Sequence, residues 1–107
     1  EQNLRLRNNN LVKSVKSFYD NKCQRCKIQL SIGKDTFYSE AHHIKPLGEP
    51  HNGPDKLENM ICVCPNCHIQ LDYGYLKLDI NRIQLHNEHK LNEEYILYHN
   101  ENIYRSF

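Results

Sequence analysis

The sequence predicts a small α+β domain stapled by a metal ion, and three observations carry that prediction. The chain has 107 residues, enough for one domain and too few for a second independent core. Only 38% of them are hydrophobic and the mean hydropathy is -0.81, a thin apolar supply against the entropy of ordering the chain. Five cysteines and seven histidines offer the missing cohesion as metal ligands. Residues 1–107 are read as one domain, with the polar stretch 1–10 as the end of a linker from something larger.

Each element follows from local pattern. Leu11, Val12, Val15, Phe18 and Tyr19 recur at helical spacing behind Asn10 as N-cap, which predicts an amphipathic helix over 11–19 that stops at Asp20-Asn21. Ile28, Leu30 and Ile32 alternate with polar residues up to Gly33, a short strand, and 36–44 reads as a second one. Three prolines and two glycines make 46–54 a loop. Residues 57–64 are apolar enough to be buried, and Pro65 suits the first position of a helix that passes through His68 to Asp72 and ends at Gly74. Residues 75–86 read as a hairpin turning near Asp79 to Arg82. A last helix starts behind Asn92, with Leu91 and Ile96 placed as a hydrophobic staple.

Cys23-x2-Cys26 and Cys64-x2-Cys67 form two matched knuckles, the spacing of a four-thiolate zinc site. Such a shell is closed, so this zinc folds the chain and leaves no position for chemistry; His68, beside Cys67, is not needed in it. Cys62 lies in an apolar run and reads as a small buried hydrophobe. The odd cysteine count argues against a complete disulfide framework, and no signal peptide or long apolar run is present, so the expected setting is reducing and cytoplasmic, away from membranes. Net charge is only +1 with a pI near 7.9, so a phosphate-binding surface has to be local.

The run Glu40-Ala-His-His-Ile-Lys-Pro-Leu47, then Glu58-Asn59 and Cys64-Pro-Asn-Cys-His68, resembles the HNH nucleases of the ββα-metal fold, a two-stranded ribbon against one helix around a single catalytic metal. The longer run from His42 to Asp55, with Leu71-Asp-Tyr-Gly74, is most similar to the nuclease domains of modification-dependent restriction enzymes, and the flanking helices fit that subgroup too. The resemblance implies His43 as general base, His42 and His68 as ligands of the catalytic ion, and Asn59 as the residue that holds the base and its loop by hydrogen bonding. The chemistry asks for the same types: a histidine to take a proton from water near neutral pH, and a divalent ion to neutralise charge on the phosphate and leaving oxygen. Asp72, where many relatives carry a further histidine, lies one helical turn after His68 and either joins the ion or supports it. Two imidazoles with a carboxylate suit Mg2+ or Mn2+, with Ni2+ or Co2+ also able to serve.

Other polar residues keep two readings. Lys45 is a DNA phosphate contact or a solvated lysine; Arg5, Arg7, Lys13 and Lys16 form a DNA-facing or simply solvated basic face. Glu40 should share a face with His42 and orient it, or sit as a surface charge. His51, His86, His89 and His99 read as structural or surface residues. The expected function is a metal-dependent DNA endonuclease domain, the cleavage module of a restriction-type enzyme. Its expected partners are DNA, a fused or associated recognition domain, and a second copy for double-strand cleavage. The alternative is a non-catalytic zinc module that binds nucleic acid or protein, which has no use for a general base at His43.

Overall fold

A computed structural model describes residues 8–105 as an α+β fold of three α-helices and two small antiparallel sheets. The proposed linker 1–10 and the arginines Arg5 and Arg7 therefore fall mostly outside the described residues. Helix α1 spans Asn9–Phe18 and starts two residues earlier than the apolar periodicity suggests. Its N-cap is Asn8, not Asn10, because the Asn8 side chain accepts from the amides of Asn10 and Leu11. Asp20 and Asn21 end it with φ of 52° and 60°, a left-handed conformation that Asp and Asn tolerate better than most residues.

The stretch 36–44 is two strands, not one. Strand β1 (Leu30–Gly33) pairs with β2 (Thr36–Tyr38), while β3 (Glu40–His43) pairs with β4 (Met60–Val63) in a separate sheet. The break falls at buried Ser39, whose hydroxyl donates to Asn21 Oδ1 and redirects the chain. All four β4 residues are buried because both faces of the β3–β4 ribbon are covered. Met60 and Cys62 pack with Val15 and Tyr19 of the α1 side, as does Ala41. Ile61 and Val63 pack on the opposite side with Leu71 of helix α2 (Pro65–Asp72). By the same alternation, His42 and His43 leave β3 on opposite faces.

Pro65 opens α2 as expected, and Gly74 follows its end at φ 74°, with the Ile103 carbonyl where a Cβ would stand. The expected hairpin at 75–86 is absent: among the described residues this segment holds only a 3-10 turn, Ile80–Arg82. Its backbone finds partners elsewhere. The Asn100 side chain takes both the amide and the carbonyl of Leu78, His99 Nε2 meets the Leu76 carbonyl, and Gln84 exchanges hydrogen bonds with Gln24. Apolar alternation here marks docking onto the core through Leu78 and Ile83, not strand pairing. Helix α3 (Glu93–Tyr98) starts behind Asn92 as predicted, with Ile96 buried and Leu91 packed on the same cluster. No helix among the described residues is long and apolar enough to cross a membrane.

Candidate active site

Two groups of ligand-type side chains converge, one on each side of Cys64-Pro-Asn-Cys67-His68. In the first, the sulfurs of Cys23, Cys26, Cys64 and Cys67 lie within 4.8 Å of one another. Cys26 Sγ and Cys64 Sγ are 3.6 Å apart, against about 3.8 Å between ligands on a tetrahedron with metal–sulfur bonds of about 2.3 Å. The amide of Cys26 points at Cys23 Sγ and that of Cys67 at Cys64 Sγ, each at 3.4 Å. Burial opposes a thiolate at Cys23, but surrounding amides outweigh it and bring its pKa down to about 7. This donor set can hold one tetrahedral ion such as zinc. Between the first two cysteines, buried Gln24 spans to Cys62 and Gln84, so the knuckle is tied to β4 and to the C-terminal segment at once. Cys62 is fully buried and outside the cluster, as its apolar setting implied.

In the second group, His42 from β3 and His68 and Asp72 from α2 face each other. His42 Nδ1 is 3.3 Å from Asp72 Oδ1 and His68 Nε2 is 3.4 Å from Asp72 Oδ2. Ligands bound at about 2.1 Å stand roughly 3.0 to 3.4 Å apart in octahedral or tetrahedral shells, so the three side chains are spaced to hold one divalent ion. His42 is buried, and burial holds it below the ordinary histidine range against the pull of Asp72, which favours the neutral imidazole a metal needs. Partial burial pushes Asp72 up, but its hydrogen bond to His42 and the nearby imidazoles of His42, His68 and His99 outweigh that and keep it low. Asp72 is 51% exposed, so the group opens to solvent on its side.

Glu40 lies on the far side of His68, not on His42 as strand alternation suggested. Its Oε1 accepts from His68 Nδ1 at 2.7 Å and its Oε2 from the Tyr38 hydroxyl at 2.6 Å. The Tyr38 bond is the main reason the Glu40 carboxyl sits below its usual range. A carboxylate on Nδ1 fixes the tautomer with the Nε2 lone pair toward Asp72, the arrangement that supports a ligating imidazole.

His43 is tied to a residue that sequence reasoning missed. Its Nε2 is 2.8 Å from Asp55 Oδ1, and Asp55 Oδ2 accepts from the backbone amide of Asn8 at 2.6 Å. Asn59 has no solvent exposure and does not reach the imidazole. Its side chain instead accepts from the Lys45 amide and donates to the carbonyls of Lys45 and Pro54, closing the loop whose last residue precedes Asp55. Gly53 permits that closure, since a Cβ there would overlap the Lys45 carbonyl. In the sequence Asp55 stands out only as the last residue of the run from His42, just past a Pro/Gly loop, with no role attached to it.

Lys45 is half-buried with its ammonium 4.6 Å above the centre of the Tyr98 ring, and the Tyr98 hydroxyl bonds His51 Nδ1. Lys13 is exposed, and Lys16 lies over Tyr38. His89 and His99 are buried and bonded to the carbonyls of Leu57 and Leu76, and His86 stacks on Phe18. None of His51, His86, His89 and His99 joins either ligand group among the described residues.

A family model described as HNH endonuclease matches residues 23–73, the interval that holds both ligand groups. The chain is similar to the Type IV methyl-directed restriction enzyme EcoKMcrA of Escherichia coli (strain K12), at 38% identity over 44% of this chain and 19% of that protein. It is also similar to Anaredoxin of Nostoc sp. (strain PCC 7120 / SAG 25.82 / UTEX 2576), at 39% identity over 41% of this chain and 55% of that protein. Among solved structures, the Modification dependent TagI restriction endonuclease superposes with a TM-score of 0.85 at 31% identity, over 92% of this chain and 39% of that one. The chain thus spans between about a fifth and about half of the length of these relatives.

Proposed function

We propose that the chain, whose residues 23–73 match the HNH endonuclease model and which is similar to restriction enzymes, hydrolyses DNA phosphodiester bonds with His43 as general base and a single divalent ion. The observation that carries this reading is the convergence of His42, His68 and Asp72 into one ligand group, with His43 the next residue along the same strand. When bound there, a divalent ion such as Mg2+ or Mn2+, or alternatively Ni2+ or Co2+, would neutralise charge on the phosphate and the leaving oxygen. Asp72 and the two imidazoles hold that position, and Glu40 keeps the His68 lone pair aimed at it. His43 takes a proton from the attacking water, and Asn59 keeps the strand end and its loop in register. The four-cysteine group is assigned a structural zinc, because a closed thiolate shell leaves no open coordination position. Lys45 stands two residues beyond the base and is proposed to meet a neighbouring phosphate.

No base-reading element is evident among the described residues, so recognition is assigned to a fused or associated domain. Cutting both strands takes two active sites, hence a homodimer or two successive nicks. A reducing, cytoplasmic setting suits thiols that must stay free to ligate. The test is incubation of zinc-loaded protein with supercoiled plasmid and each divalent ion in turn, beside His43→Ala. Nicked and linear products that need both a divalent ion and His43 support the reading; equal cleavage by His43→Ala, or none with any ion, overturns it.

A further inference from the structure

We infer that Asp55 is a positioning residue for His43, holding the imidazole in the Nε2–H tautomer so that Nδ1 is the atom that takes the proton from water. This rests on the reading of His43 as the base and adds the partner that orients it. A carboxylate can only accept, so a 2.8 Å contact from Asp55 Oδ1 to His43 Nε2 places the ring proton on Nε2 and the lone pair on Nδ1. The other carboxylate oxygen is engaged by the Asn8 amide at 2.6 Å, so the carboxylate is held from both sides. The pair is also sheltered: side-chain exposures are 8% for His43 and 20% for Asp55, which strengthens the contact relative to an exposed ion pair. Asn59 completes the arrangement from behind, because its donation to the Pro54 carbonyl fixes the peptide that leads into Asp55.

The proton and electron count is simple. The water O–H bond breaks and its proton passes to Nδ1, while Nε2–H stays on the ring and Asp55 stays ionised. The water oxygen bonds to phosphorus, the bond from phosphorus to the leaving sugar oxygen breaks, and that oxygen is protonated from solvent. Asp55 thereby stabilises the imidazolium as it forms and keeps the ring from turning its N–H toward the water.

Two measurements test this on the whole zinc-loaded chain. In nitrogen-15 NMR, the imidazole signals missing from His43→Ala identify His43; the wild type should show the Nε2–H tautomer, and Asp55→Ala a mixture. In single-turnover cleavage, Asp55→Ala and Asp55→Asn should be slowed about 10- to 100-fold, with unchanged DNA concentration and divalent-ion concentration at half-maximal rate, and Asp55→Glu should recover part of the loss. A wild-type Nδ1–H tautomer overturns the inference even if every Asp55 variant fails to fold, and so does full-rate cleavage by a folded Asp55→Asn. If His43→Ala is inactive while Asp55→Asn is not, only the role of Asp55 falls; if His43→Ala cleaves normally, the general-base reading falls with it.

Discussion

Glu40 Oε1 lies 2.7 Å from His68 Nδ1, and this contact joins the strand that carries His42 to the helix that carries the other two candidate ligands. The three ligands come from two elements that share a core cluster through Val63 and Leu71. The Glu40 bridge adds a directional constraint to that packing, with Tyr38 holding the carboxylate from behind.

Replacing Glu40 by Gln should therefore act on the metal and not on the base. Gln can present an oxygen to Nδ1, but it loses the charge that makes His68 a better donor. Affinity for the catalytic ion should fall about 10-fold or more, with cleavage restored at high metal concentration. Calorimetric titration of a divalent ion into the zinc-loaded protein measures it, and unchanged affinity would leave the bridge with a purely structural role.

Zinc should be present at about one equivalent per chain, and its removal should unfold the domain, since a structural site contributes folding free energy on the order of 10 kcal/mol. The four sulfurs bring residues before β1 together with residues entering α2, and both segments border the same core cluster of Ile61, Leu71 and Ile96. Elemental analysis and circular dichroism after chelation check this. Folded protein with no zinc, or two ions both held by cysteine, would remove the assignment of Cys23, Cys26, Cys64 and Cys67.

Asn59→Ala should destabilise the protein by about 2 to 4 kcal/mol, because it deletes three hydrogen bonds of a fully buried side chain and leaves backbone groups of Lys45 and Pro54 unsatisfied. Denaturant unfolding of zinc-loaded protein gives the value. A loss below about 0.5 kcal/mol would mean that the loop from Pro46 to Pro54 is held by something other than this amide.

Stability should also fall as pH drops below neutrality, and His89 gives the sign. Burial is the main cause of its lowered pKa, and Tyr19 and the Leu57 carbonyl bond its two ring nitrogens in the folded state. An unfolded chain protonates His89 near pH 6.5 while the folded one resists, so its contribution is complete above that pH and is lost as pH falls from there toward the folded value. Thermal midpoints between pH 7.5 and 5.5 should decline, and His89→Gln should show a shallower decline from a lower start. Thiolate protonation at the zinc site weakens both proteins alike, so the difference in slope isolates His89; parallel slopes would rule His89 out.

The parts of the site that were legible in the sequence are those where chemistry restricts residue type and spacing together. Two matched cysteine pairs, adjacent histidines and a helix led by Pro65 leave few other arrangements; the fold gathers the four cysteines into one group and His42, His68 and Asp72 into another, while His43 meets Asp55. Asp55 was invisible because it reaches His43 across a loop with no periodicity, where only the closure by Asn59 and Gly53 decides which side chain arrives. The segment 75–86 misled for a related reason. Its alternating apolar residues satisfy a strand pattern, yet the partners of its backbone are the side chains of Asn100, His99 and Gln24, all more than fifteen residues away. Local pattern reports burial well and pairing partners poorly.

The two adjacent histidines should separate cleanly in their dependence on metal. His42 faces His68 and Asp72, whereas His43 leaves the strand on the other face and meets Asp55. Removing His42 takes a donor from the ion, so His42→Ala should weaken metal binding, and raising the metal concentration should recover much of its cleavage. His68→Ala should behave alike, with the additional loss of its contact to Glu40. His43→Ala leaves the three candidate ligands intact and deletes the proton acceptor, so it should keep metal affinity and lose about 100-fold or more of the cleavage rate at every metal concentration. Asn59→Ala should fall between, since it loosens the loop without deleting any reacting group. Cleavage rate against metal concentration for the four variants, with calorimetric binding alongside, makes the comparison. Metal loss in His43→Ala with retention in His42→Ala would exchange the two roles, and wild-type cleavage by both would end the reading of this site as the one that cleaves.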